Sequence, residues 1–180
     1  RSPETGEENA AKDELARCTP RERSARRDGR VQAMSRYIFP YGIRFREDSR
    51  IETFPAIELS VVGRGGKGLR AVFYIDSGAT TSALPLSDAE ALGLKAEAGK
   101  KTLVHGIAGD TLGFRHVVTI VLHETKLTVP ILFAELESFP RILGREGIFT
   151  RFGLLFDEAN HRTGFLDARK ERKTIDSVLS

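Results

Sequence analysis

Asp76, Ser77 and Gly78 follow the apolar run Ala71-Val72-Phe73-Tyr74-Ile75, so an acid, a hydroxyl and a glycine are delivered in succession. A carboxylate held in a fixed turn accepts hydrogen bonds, here from the Gly78 N–H and from Ser77, which orient it and tune its protonation. One such acid is a poor hydrolytic catalyst. Two that face each other share a proton, because like charges at close range do not both ionise, so one serves as base on a water while the other serves as acid. The near matches Asp110-Thr111-Leu112 and Asp176-Ser177-Val178 lack the glycine that the turn needs. The second acid is therefore expected from a second copy of the chain, since a two-fold interface brings the same patch of both subunits together.

The elements that must position Asp76 are legible from residue type. Residues 71–75 are rich in β-branched and aromatic types and read as a buried strand, and Gly78 permits the tight turn that ends it. Ile57, Leu59 and Val61 alternate with polar or small residues, and Gly63-Arg64-Gly65-Gly66-Lys67-Gly68 turns the chain before a strand from Leu69, which predicts a hairpin. Ser87 with Glu90 forms a capping-box pattern, and Gly93 stands where a C-cap would close one short helix. Residues 104–107, 117–122, 127–133 and 154–156 are short Val-, Ile-, Leu- and Phe-rich runs between turns, the pattern of a small β-barrel or sandwich. Tyr37, Phe39, Tyr41, Ile43 and Phe45 alternate as an additional strand would.

Asp76-Ser77-Gly78-Ala79-Thr80 resembles the Asp-Thr/Ser-Gly-Ala signature of the retropepsin-like aspartic proteases, the single-lobed dimeric relatives of the pepsins. Residues 104–114 are similar to that family's glycine-rich flap, and Ile142-Leu143-Gly144-Arg145 to the element that supports its catalytic loop, followed there by a short helix, here through about Phe152. Residues 153–157 and 164–166 are similar to its closing strands, so the resemblance spans roughly 57–166. It implies an all-β fold, a small closed barrel with one or two short helices, one lobe per chain and a homodimeric active site. It implies Asp76, Ser77 and Gly78 as catalytic residues and Ala79, Gly106, Ile107, Ala108, Gly109 and Leu143 as substrate-binding ones. Thr80, Gly144 and Arg145 are implied as structural support, with no cofactor and no metal. Ser77 replaces the commoner Thr but keeps the hydroxyl. Thr80 stands where viral members often carry an acid that pairs with the Arg of the second motif, which leaves Arg145 without an assigned partner. The implied activity is peptide-bond hydrolysis on a peptide or protein substrate. The alternative is a non-catalytic dimerisation or peptide-binding adaptor of the same fold.

A chain of 180 residues with 40% hydrophobic content can bury one core. Residues 1–36 lack apolar periodicity and read as a flexible arm, 37–168 as the domain, and 169–180 as a charged tail. A net charge of +3 from 28 basic and 25 acidic residues, with mixed signs, offers no broad basic face, so nucleic acid is not expected as a partner. Arg17 to Arg30 is locally basic and reads as a solvated segment. The single Cys18 excludes an intrachain disulfide.

No 18-residue apolar stretch is present, so this segment is expected to be soluble, in cytoplasm or periplasm. It opens on Arg rather than Met, which leaves room for an upstream anchor or signal. Gly63-x-Gly65-x-x-Gly68 matches a dinucleotide fingerprint, but a strand rather than a helix follows it. His105, His116, His123 and His161 lack metal-ligand spacing, and no Gly-x-Ser-x-Gly supports Ser77 as a nucleophile. Phe39-Pro40 resembles the processing sites of viral family members, although the alternation around it favours a plain strand.

Overall fold

The computed structural model describes residues 35–106, 109–136 and 138–180. Cys18 and the basic stretch 17–30 lie outside the described residues, as does the expected arm up to residue 34. Its last two residues, Ser35 and Arg36, join the fold: Asp167 N–H donates to the Ser35 carbonyl at 2.8 Å and Arg36 opens the first strand.

Among the described residues the chain is all-β with two short α-helices and three single 3-10 turns. Its elements are β1 (Arg36–Pro40), β2 (Gly42–Phe45), β3 (Ile51–Phe54), β4 (Ala56–Val62), β5 (Gly68–Ile75), β6 (Ser82–Pro85), α1 (Ser87–Ala91) and β7 (Lys100–Gly106). There follow β8 (Gly109–Leu122), β9 (Thr125–Ala134), β10 (Ile142–Leu143), β11 (Phe152–Asp157), β12 (Arg162–Asp167) and α2 (Arg172–Leu179). The main sheet has the order β4-β5-β10-β6-β9-β8-β7, and β4 also pairs with β8, so the pairing returns on itself. β1-β12-β11 form a second sheet and β2-β3 a two-stranded ribbon. The core lies inside the returning sheet and under the second one, around Phe73, Phe133, Leu143, Phe152 and Phe165.

The expected hairpin is β4-β5, with Ile57 opposite Phe73 and Val62 opposite Gly68. β5 is not buried on both faces as its apolar run suggests. Ala71, Phe73 and Ile75 point inward while Val72 is 51% exposed, because antiparallel pairing leaves one face to solvent.

Three further expectations are corrected. The additional strand over 37–45 is two strands in different sheets. β1 pairs with β12, Tyr41 N–H donates to the His161 carbonyl at 2.8 Å, and β2 turns away to pair with β3. α1 begins at Ser87 with Leu86 at the N-cap position, so Ser87 is the first helical residue and not the N-cap that the capping-box pattern predicts. Its other end is as read: Leu94 N–H reaches the Ala89 carbonyl and Gly93 N–H that of Glu90, with Gly93 at φ +68°. The helix expected after Arg145 is a succession of turns, in which Gly147 at φ +76° breaks the helical path.

The charged tail carries α2. Ile175 packs 3.0 Å from where a Cβ on Gly153 would stand, and Glu171 ahead of the helix accepts from Ser35 Oγ, the Arg36 guanidinium and Thr174 Oγ1. These donors, Arg36 foremost, hold the Glu171 carboxyl well down, to about 2.

Candidate active site

Asp76 stands directly after β5, half-buried, and its N–H donates to the Leu143 carbonyl at 3.1 Å. That bond extends a short parallel register, Ile142 opposite Tyr74 and Leu143 opposite Ile75, in which β10 is inserted between β5 and β6. Leu143 is fully buried, so the strand beside the acid is anchored in the core.

The carboxylate is oriented by backbone. Asp76 Oδ1 accepts from Gly78 N–H at 2.8 Å and from Ala79 N–H at 3.2 Å. The donors expected were Gly78 and Ser77. The Ser77 side chain is exposed instead, and its hydroxyl has no partner among the described residues. Gly78 has no left-handed backbone; a Cβ there would stand 3.2 Å from Asp76 Oδ1, a tight contact that would press on the carboxylate. Asp76 forms no ion pair among the described residues.

The loop is clamped from the β10 side. Arg145 N–H donates to the Ala79 carbonyl at 3.0 Å, Glu146 N–H to the Thr80 carbonyl at 2.8 Å, and the Arg145 guanidinium to Thr80 Oγ1 at 3.2 Å. Thr80 thus supplies the oxygen that the sequence left unassigned. Gly144 N–H donates to Ser82 Oγ at 3.0 Å, and a Cβ on Gly144 would lie 2.6 Å from the Thr81 carbonyl carbon. Glycine is the residue that lets these two backbones meet.

Several members of this clamp escape sequence reading. Buried Ser82 gives one signal, a hydroxyl in an otherwise apolar strand. Arg115, which pairs with Glu146, gives none. Buried Asp88 binds the Arg141 guanidinium through both oxygens, at 2.7 and 2.9 Å, and Arg141 gives its carbonyl to Tyr74 N–H, which ties α1 to the lead-in of β10.

Residues 104–114 lie in the antiparallel β7-β8 hairpin, with Gly106 opposite Gly109. Ile107 and Ala108, expected to touch substrate, lie outside the described residues. Just before the tip, His105 Nδ1 and Asp110 Oδ1 stand 2.6 Å apart across the strands. Among the described residues no group of three or more His, Cys, Asp or Glu could hold a metal ion, and no helix is long and apolar enough to cross a membrane.

The Asp-Ser-Gly-Ala loop between β5 and β6, followed by the glycine-bearing β7-β8 hairpin and then β10, has the order that the sequence resemblance to the retropepsin-like aspartic proteases implies. The model of the family described as aspartyl protease matches residues 61–146, from within β4 to the turn after β10, the segment that holds Asp76, the hairpin and Arg145. Among solved structures, the chain is similar to EIAV protease complexed with the inhibitor HBY-793, with 25% identity and a TM-score of 0.42 over 52% of this chain and 84% of that one. It is also similar to a retropepsin-like aspartic protease from Rickettsia conorii, with 18% identity and a TM-score of 0.49 over 72% of this chain and 89% of that one. No curated protein matches the chain. The resemblance drawn from the sequence stands.

Proposed function

We propose that the chain is an aspartic endopeptidase whose active site forms between the Asp76 residues of two subunits. The observation that carries this reading is the Asp76 carboxylate, set by two backbone N–H groups at a clamped strand end and paired with no cation among the described residues. Such a group is pre-aligned yet keeps oxygen lone pairs free for a proton or a water.

One carboxylate takes a proton from the water as its oxygen bonds to the scissile carbonyl carbon, while the protonated partner gives its proton to the carbonyl oxygen. In the collapse of this gem-diol, the first carboxyl passes its proton to the leaving nitrogen as the C–N bond breaks. The second recovers a proton from the diol hydroxyl as the new carboxyl group forms, and the pair returns to its singly protonated state. Gly78 and Ala79 N–H hold the acid in line, and the exposed Ser77 hydroxyl is free to bond across the dimer. The β7-β8 hairpin, with Gly106, Ile107, Ala108 and Gly109, acts as a flap that holds an extended peptide by strand-like backbone bonds. Ala79 stands beside the acid, whereas Leu143, expected to touch substrate, is fully buried and supports the strand next to Asp76 instead. Self-processing at Phe39-Pro40 is disfavoured, since that bond lies inside β1, paired with Thr163 and Arg162 of β12.

The test is cleavage of a mixed peptide library from about pH 4 to 7 by the wild type and by Asp76→Asn, read by mass spectrometry. Cuts that disappear in a folded Asp76→Asn support the assignment. Cuts that persist exclude it, and no cuts by a folded dimeric wild type turn the reading to an adaptor.

A further inference from the structure

The β2-β3 ribbon has two unlike faces. On one, Arg44 and Glu52 stand opposite each other, Arg46 joins Glu52, Arg44 donates to the Tyr74 hydroxyl at 3.0 Å, and the Phe54 ring stacks on Tyr74 at 4.2 Å. Its charges are satisfied within the ribbon and its aromatic end is seated on the body. On the other face Phe45 stands opposite Ile51 with Ile43 beside them, at 74, 65 and 64% exposure. A two-stranded ribbon is marginal by itself, and three adjacent large apolar side chains left in water argue for a constant cover.

The root of the ribbon says what that cover is. Phe54 leads through Pro55 into β4, Pro55 gives its carbonyl to Ile75 N–H at 3.0 Å, and Ala56 pairs with Tyr74. The ribbon therefore springs from the same end of the sheet as Asp76, one residue beyond Ile75. A two-fold axis that brings two Asp76 residues together must bring both ribbon roots close to it. A substrate peptide would cover the face only during turnover, whereas a second subunit covers it throughout. We infer that the β2-β3 ribbon is a dimerisation arm whose Ile43, Phe45 and Ile51 face is covered by a second copy of this chain beside the active site. The inference rests on the dimeric reading of the function.

The test compares the full chain with Phe45→Asp and Ile51→Ser, and with Val117→Asp as a control at an equally exposed apolar residue of another sheet, 68% exposed. Molar mass is read by light scattering, folding by circular dichroism, and peptidase activity as a function of protein concentration. Phe45→Asp is expected to fold and to run as a monomer where the wild type and Val117→Asp are dimers. Its half-maximal activity should require at least about tenfold more protein, and Ile51→Ser should shift in the same direction by less. Should Phe45→Asp fail to fold, Ile51→Ser carries the test alone.

Dimeric variants with the concentration dependence of the wild type overturn the inference and leave the proposed function standing. So do dimeric variants with a raised KM alone, since the face would then touch substrate. A wild type that is monomeric and active in simple proportion to its concentration removes the dimeric reading and the inference together.

Discussion

The Arg145 guanidinium donates to the Thr80 hydroxyl at 3.2 Å, while the backbone N–H of Arg145 holds the Ala79 carbonyl. Two segments 65 residues apart thereby fix the loop that carries Asp76. An uncharged hydroxyl in this place keeps the loop in register without a carboxylate at position 80 close to Asp76.

Thr80→Val removes the acceptor and keeps the shape, so it should cost about 1 kcal/mol of stability. Thr80→Ser should stay close to wild type. Thr80→Asp should form an ion pair with Arg145 and match or exceed the wild type by up to about 1 kcal/mol, since exposed pairs contribute little. Urea titration of the four proteins checks the order, and a Thr80→Val as stable as Thr80→Ser would remove the role assigned to this bond.

Gly144→Ala should be the most damaging single-methyl change in the clamp. Its Cβ would stand 2.6 Å from the Thr81 carbonyl carbon and 2.9 Å from Ser82 N, both backbone atoms that no rotamer change can move. A loss of about 2–3 kcal/mol is expected, together with loss of turnover, because the displaced segment is the one that bonds Asp76. Melting and library cleavage measure the two effects.

Asp88→Ala should cost about 1–3 kcal/mol, since it leaves Arg141 without its bidentate partner at a half-buried position. Asp88→Asn, which keeps one acceptor, should cost less. Thermal unfolding of both variants ranks them.

Acid should loosen the attachment of α2. The Glu171 carboxyl lies at about 2 when folded, below its ordinary value, so its contribution is complete above the unfolded value of 4.5 and is lost as pH falls from there toward 2. Glu171→Gln should therefore lower stability at pH 6 by more than at pH 3. Equal losses at both pH values, in paired denaturant titrations, would contradict this.

How much of this is legible in the sequence follows from how far apart the interacting residues lie. The strand bearing Asp76, the β4-β5 and β7-β8 hairpins and the Gly93 helix end are local, because side-chain alternation and glycine placement record them within a few residues. The acceptor for Arg145, the Ser82 hydroxyl under Gly144 and the Arg115–Glu146 pair are contacts across the fold, and no local pattern marks them. Tyr37 through Phe45 alternate without interruption, yet pairing partners divide them between two sheets, a tertiary choice that overrides periodicity. The turns after Arg145 keep helical composition and lose the helix at Gly147. α2 carries its apolar residues too sparsely among charges to be distinguished from a tail.

The central claim is that one active site needs Asp76 from two chains, and subunit mixing tests it most directly. Wild type and Asp76→Asn, mixed in equal amounts and allowed to exchange, should retain about one quarter of the activity of the same total amount of wild type, because mixed dimers lack one acid. Retention of about one half would mean that each chain works alone, and would contradict a shared site.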